Sequence, residues 1–219
     1  DFCPALGLAI PVGKDSLSMK TRWTEGEAQK EVVSPLSLVI TAFAGVEDVR
    51  KTLTPQLLID PEVDTELLLL DLGQMKNRLG GSALAQAYGV VGEHAPDADA
   101  VLLGRFLPAI NRLRDAGLVL AYHDRSDGGL FATLCEMAFA SKVGLSINLD
   151  TLAYDPLLVD VDSLAKKPDA VRGRFNDRTF TALFAEELGA VIQIRVDQRS
   201  QVMDILREAG LSGVTHGIG

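Results

Sequence analysis

The segment 123–129, with the sequence HDRSDGG, constrains the fold more than any other stretch of this chain. It follows residues 118–122, a short apolar run with strand character, and apolar residues recur at helical spacing from Leu130 onward. This order predicts a strand, a tight turn and a helix. Paired glycines let backbone amides approach a ligand closely, and the positive end of a helix dipole favours an anion. We therefore expect a phosphate group at this turn, with Asp124 as a ligand of the magnesium ion that it brings.

The same residues also fit a turn with no ligand. Aspartate and serine are common helix N-caps, and paired glycines are common in turns. His123, at the start of the segment, has two interpretations as well: a donor or general acid toward a phosphorylated group, or a packed structural histidine. Taken alone, the segment leaves both interpretations open.

A second polar segment, residues 10–20 with the sequence IPVGKDSLSMK, offers similar chemistry. Lys14 supplies a cation for phosphate oxygens, Asp15 a carboxylate for a metal ion or a hydrogen bond, and Ser16 a hydroxyl donor. The spacing is not that of a Walker A loop, because Gly13 alone precedes the lysine. From spacing alone, a solvated turn is at least as consistent with these residues.

Together, the two segments resemble a known family. Residues 8–20 and 119–130 resemble the GKDS-type loop and the HD-x-SDGGL loop in the second ligase half of the large, single-chain phosphoribosylformylglycinamidine synthases of purine biosynthesis. The resemblance continues through residues 34–40, 52–55 and 184–193, and it is poor over about 145–180. Several separated motifs are more specific than one glycine-rich match.

The resemblance implies an ATP-dependent ligase that converts formylglycinamide ribonucleotide and ammonia from glutamine to formylglycinamidine ribonucleotide. Its cofactors are ATP or ADP and Mg²⁺. By the same resemblance Asp124 binds the metal, Ser126 contacts a nucleotide phosphate and His123 is the catalytic candidate. The remaining candidates for nucleotide binding are Lys14, Asp15, Ser16, Gly128 and Gly129.

Two other functions remain open. The resembled ligase is internally duplicated, so this half is alternatively a structural module that holds ADP and Mg²⁺ without turnover. The chain is alternatively another member of the aminoimidazole ribonucleotide synthetase superfamily. The resemblance also implies partners outside this sequence, with the rest of the ligase before it and a glutaminase domain after it. We therefore expect these 219 residues to be a fragment that is inactive alone.

The remaining acidic and histidine candidates are given no catalytic role. Glu186 and Glu187 are adjacent, and neighbouring positions on a helix do not share a face, so we expect at least one of them to be a surface charge. The other is expected to line a pocket. His94 and His216 form no recognisable ligand cluster.

The predicted fold class is α+β, a mixed sheet with packed helices, like the C-terminal domain of aminoimidazole ribonucleotide synthetase. That domain covers residues 62–219, and residues 1–55 are the incomplete tail of an N-terminal-type domain. Strands are predicted at 36–44, 67–72, 118–122, 145–149, 190–196 and from 214, with a hairpin-like stretch at 23–31. Helices are predicted at 82–88, 102–116, from 130, at 181–188 ended by Gly189, and at 198–209, and an exposed loop at 165–174.

Composition limits the remaining classes of function and location. A formal charge of −9 argues against non-specific nucleic-acid binding, which depends on lysine and arginine. No apolar run reaches the roughly 20 residues that cross a bilayer, and no leader-like segment opens the chain, so we expect a cytoplasmic protein without a membrane partner. Two cysteines are too few for a disulfide framework.

Overall fold

The computed structural model describes residues 1–14, 19–34, 38–153 and 178–219, which divide into two compact units, residues 1–49 and 50–219. The first unit contains α1 (Phe2–Ala5) and an antiparallel hairpin of β1 (Lys20–Glu25) and β2 (Ala28–Val33). The predicted hairpin is therefore confirmed.

The predicted strand at 36–44 is wrong in its described part. Residues 38–44 are irregular and exposed, and residues 36 and 37 lie outside the described part of the chain. Branched side chains favour a strand only where a neighbouring strand and a packed face receive them. No such strand accompanies these residues in the described part of the first unit.

The second unit is built on a four-stranded sheet in the order β4-β5-β3-β6. Its strands are β3 (Thr65–Asp71), β4 (Ala121–Asp124), β5 (Gly189–Arg195) and β6 (Thr215–Gly217). The α+β class is confirmed. Every described pairing is antiparallel, however, which corrects the expectation of a mixed sheet. Strands β3 and β4 run in the same direction but do not pair with each other. Strand β5 lies between them and pairs antiparallel with both.

Helices cover both faces of this sheet. They are α2 (Ala83–Ala87), α3 (Ala100–Asp115), α4 (Gly129–Ser141), α5 (Asp150–Ala153), α6, described over residues 178–184, and α7 (Arg199–Glu208). Single 3₁₀ turns lie at Val49–Lys51, Val196–Gln198 and Ser212–Val214. None of the helices in the described ranges is long and apolar enough to cross a membrane.

The continuous apolar run in β3 follows from this two-sided burial. Leu68 and Leu70 pack with α3 and α7, whereas Leu67 and Leu69 pack with α4 on the opposite face. All four leucines are buried. Because successive side chains of a strand alternate between two covered faces, the sequence shows no polar alternation here.

Two predicted elements are corrected by the second unit. Residues 145–149 form no strand, although the Asn148 amide donates to the Ile218 carbonyl at 2.7 Å. The helix predicted through Leu188 ends at residue 184, and Gly189 begins β5 instead of stopping a helix. The carbonyl groups of residues 187 and 188 are bound by an arginine side chain, as described below, and the backbone there is not helical. The loop predicted at 165–174 lies outside the described residues.

Candidate functional site

The turn between β4 and α4 brings together five of the predicted site residues. His123 and Asp124 end β4, Ser126 lies in the turn, and Gly128 is the N-cap of α4, which begins at Gly129. The Asp124 side chain is 68% exposed. In the described part of the chain its carboxylate accepts no hydrogen bond, and His123 Nδ1 lies 3.9 Å away. The turn thus presents a largely exposed carboxylate to solvent.

A buried ion pair and buried hydrogen bonds hold the turn in place. Arg125 is 4% exposed, and one of its Nη atoms lies 2.5 Å from Asp71 Oδ1, at the end of β3. The same guanidinium donates to the carbonyls of Glu187, at 2.6 Å, and Leu188, at 2.9 Å. Asp71 also accepts the amides of Gly73 and Met75. One buried arginine therefore ties the turn to the loops beside β3 and β5.

The two glycines are used for packing in the fold. Gly128 has φ +83° and Gly129 has φ +68°, values that other residues rarely adopt. A Cβ on Gly129 would lie 2.7 Å from the Leu183 carbonyl oxygen and 2.8 Å from that of Ala185. The Gly129 amide donates to the Ser126 carbonyl at 2.9 Å. The predicted ligand role of these glycines stays a prediction.

We predict that Gly129→Ala lowers the free energy of unfolding by about 2–3 kcal/mol, because it combines a positive φ with a backbone overlap. Gly144→Ala is the matched control, since a Cβ there meets nothing within 4 Å. We expect the control to stay within about 0.5 kcal/mol of wild type. Urea unfolding of the two variants measures the difference, and equal stabilities would show that the 183–185 backbone does not confine Gly129.

His123 has a partner that the sequence analysis missed. Its Nε2 lies 2.6 Å from Glu136 Oε2, on the second turn of α4. The imidazole is 17% exposed, so it is neither free in solvent nor fully packed. Beside it, burial and then the charge of Asp124 raise the pKa of Tyr122 to about 12. The pairing with Glu136 holds the imidazole in one orientation.

Glu186 and Glu187 correct the expectation of a surface charge. Glu187 is fully buried, and its carboxylate accepts the Arg78 amide at 3.0 Å and two guanidinium bonds at 2.7 Å. This hydrogen bonding raises the pKa of Arg78 above its ordinary value. Glu186 is half-buried, and its Oε1 accepts the amides of Ala83 and Gly128. Neither residue is helical, and the two carboxylates bind different groups.

His216 lies on β6 beside the buried ion pair. Burial lowers its pKa below the ordinary 6.5, and the charge of Asp71 partly opposes that shift while Arg125 adds to it. The fold therefore favours the neutral imidazole. Above about pH 6.5 the folded and unfolded states are both neutral here, and as the pH falls the unfolded state binds the proton first.

From this sign we predict that the free energy of unfolding falls as the pH is lowered from about 7 to about 5. Part of that fall should disappear in His216→Gln, which cannot take up a proton. Urea unfolding at several pH values, for wild type and the variant, measures it. Parallel pH profiles would contradict the assignment to His216.

The remaining predicted residues belong to the first unit. Lys14 is exposed and lies outside helices and strands, and Asp15 and Ser16 lie outside the described residues.

For the magnesium ion the donor chemistry fits, since Mg²⁺ is commonly held by one or two carboxylates together with substrate phosphates and water. Asp124 is a hard oxygen ligand whose carboxylate accepts no hydrogen bond from the described residues. Those ranges contain no cluster of three or more histidine, cysteine or acidic side chains.

Sequence reasoning missed Arg125 as the anchor of the turn, although one signal was present. Asp71 stands within an apolar run, and a carboxylate in a buried strand requires a partner. Arg125 follows the next strand along the chain and is the cation within the HDRSDGG segment. No comparable feature of the sequence indicates that Glu136 is the hydrogen-bond partner of His123.

Comparisons with known proteins agree with this architecture. The family described as AIR synthase related protein, C-terminal domain, matches residues 62–216, and the FGAR-AT PurM_N-like domain matches residues 1–45. The chain therefore belongs to the AIR synthase-related family. The resemblance to phosphoribosylformylglycinamidine synthases stated from the sequence is confirmed by these matches.

Two solved structures, both from Thermotoga maritima, show the same fold. PurL of Thermotoga maritima complexed with FGAR is 11% identical over 99% of this chain and 31% of that chain, with a TM-score of 0.55. Phosphoribosylformylglycinamidine synthase II of the same organism is 11% identical over 87% of this chain and 24% of that chain, with a TM-score of 0.50. HypE of E. coli is 27% identical over 76% of this chain and 45% of that chain, with a TM-score of 0.46. The chain spans less than one third of the length of the two T. maritima proteins.

Proposed function

We propose that this chain supplies part of the nucleotide site of an ATP-dependent phosphoribosylformylglycinamidine synthase. The observation that carries the proposal is the exposed Asp124 carboxylate on a turn held by the buried Arg125. Family membership over residues 62–216 supports it, and so does the FGAR bound to the T. maritima relative. The proposal includes the assignment of residues 1–55 and 62–219 to two synthetase-type domains, and it takes the glutaminase as a partner outside this sequence.

The proposed reaction has two steps. The glycinamide carbonyl oxygen of formylglycinamide ribonucleotide attacks the γ-phosphorus of ATP, and ADP leaves. Ammonia then adds to the amide carbon, and phosphate departs with the former amide oxygen, which leaves the amidine. The principal demand on the protein is to position phosphate groups and to neutralise their charge.

Each predicted residue has a role in this proposal. Asp124 would hold Mg²⁺, which when bound neutralises phosphate oxygens. Ser126 is exposed, and its hydroxyl has no partner among the described residues, so it is free to donate to a phosphate oxygen. His123, oriented by Glu136, would donate a proton to the departing phosphate. The further contributions proposed are a cation and polar groups from Lys14, Asp15 and Ser16, and close approach at Gly128 and Gly129.

The test is an assay of the full-length protein with formylglycinamide ribonucleotide, ATP, Mg²⁺ and either glutamine or ammonium. We expect one ADP and one formylglycinamidine ribonucleotide per turnover. Copurifying nucleotide without turnover would instead support a structural nucleotide module. ATP-dependent conversion of formylglycinamidine ribonucleotide would indicate an aminoimidazole ribonucleotide synthetase.

A further inference from the structure

Glu186 joins two loops that the sheet leaves unconnected. The loop of residues 72–82 follows β3, and the turn of residues 125–128 follows β4, and β5 separates these two strands. Glu186 lies just before β5. Its Oε1 accepts the Gly128 amide of the turn at 2.7 Å and the Ala83 amide that follows the other loop at 2.8 Å. One carboxylate oxygen thus accepts the first amide of α2 and the N-cap amide of α4.

The backbone that carries this carboxylate is itself fixed. The neighbouring Glu187 is buried and holds Arg78, and its carbonyl accepts Arg125. On the other side, Ala185 lies against Gly129. Because Glu186 is held on both sides, its carboxylate position is set by the fold, and displacement of either loop would break a hydrogen bond to the same oxygen.

We propose that Glu186 is a positioning residue for the nucleotide turn, and that it keeps the Gly128 amide when phosphate binds. In this arrangement Glu186 fixes Asp124 and Ser126 relative to the loop of residues 72–82. This inference rests on the proposed function. It narrows the role of Gly128, which then contributes its left-handed backbone conformation to the site but does not donate its amide hydrogen to the phosphate.

The opposite mechanism makes the opposite prediction. If a phosphate oxygen replaced Glu186 on the Gly128 amide, removing the carboxylate would free a donor and remove a negative charge near the ligand. Glu186→Ala would then bind nucleotide more tightly. If Glu186 positions the turn, the same change lets both loops move and weakens binding.

The test uses the full-length protein with Glu186→Ala and Glu186→Gln, and with Glu208→Ala as the control. Glu208 is 65% exposed, pairs with Arg112 of α3 and belongs to neither loop. Two quantities are measured: ADP affinity in the presence of Mg²⁺, and amide hydrogen exchange of peptides covering residues 80–86 and 125–129. The exchange experiment is done without nucleotide, so it reports on the loops alone.

We expect Glu186→Ala to weaken ADP binding by about 10-fold or more and to speed exchange in both peptides together. Glu186→Gln should stay within about 3-fold of wild type, because its amide oxygen accepts the same two bonds. Tighter or unchanged binding in Glu186→Ala, or faster exchange in one peptide alone, would overturn the proposal. If wild type binds no ADP, the proposed function fails, and the exchange of the free protein still decides whether Glu186 links the loops.

Discussion

Replacing Arg125 by methionine is expected to destabilise the second unit by about 3–5 kcal/mol, the usual cost of removing one partner from a buried ion pair. Asp71 is 2% exposed and would lose its buried cationic partner. The carbonyls of Glu187 and Leu188 would also lose their donors. The free energy of unfolding, measured by urea denaturation, reports the change.

The control for this variant is Arg112→Met. Arg112 pairs with Glu208 at 2.7 Å, but both side chains are more than half exposed, so we expect a loss of less than about 1 kcal/mol. A comparable loss of unfolding free energy in the two variants would contradict the claim that the buried Arg125 holds the turn in place. Arg125→Lys separates charge from geometry, since lysine keeps the charge but lacks the planar group that reaches two carbonyls and Asp71.

The second large effect is expected on activity. Asp124→Asn should lower kcat for formylglycinamidine formation by about 100- to 1,000-fold, the scale on which loss of one charge-stabilising group slows an enzyme. Stability should change by less than about 0.5 kcal/mol, because the side chain is exposed and accepts no hydrogen bond in the described part of the chain.

Asp127→Asn is the matched control for that experiment. Asp127 is an exposed carboxylate in the same turn and is assigned no role in the site. We expect its kcat to stay within about 3-fold of wild type. Equal losses in the two variants would point to a general effect of charge in the turn. Full turnover in Asp124→Asn would remove Asp124 from the catalytic nucleotide site.

The local part of this fold was predictable because local rules govern it. The HDRSDGG segment specifies a strand end, a left-handed turn and a helix start with residues that are adjacent in sequence, and α4 begins within one residue of the predicted position. The same holds for the β1–β2 hairpin. In the hairpin the paired residues lie 3 to 13 residues apart.

The remaining structure depends on contacts between distant residues. The strand order β4-β5-β3-β6 inserts β5 between two strands that precede it, and no periodicity in the sequence specifies that insertion. The segment 185–188 has helical composition, yet its carbonyls are bound by Arg125 from 60 or so residues away. Tertiary hydrogen bonds override local propensity there.

The residues of the candidate site also divide into those that the local sequence predicts and those that only the fold reveals. Asp124 and Ser126 follow from their motif, whereas Glu136 was identified as the partner of His123 only from the packing of α4 on β4. The sequence predicts no role for Glu186 because it predicts a helix there. Residues 185–188 are not helical, so the rule about neighbouring helix positions does not apply to Glu186.

The central claim is that Asp124 links magnesium to a nucleotide phosphate, and calorimetric titration with ADP tests it most directly. Wild-type protein and Asp124→Asn are titrated with and without Mg²⁺. We expect Mg²⁺ to strengthen ADP binding to wild type, and we expect Asp124→Asn to lose this strengthening while its folding is unchanged. An equal effect of Mg²⁺ on both proteins would contradict the claim.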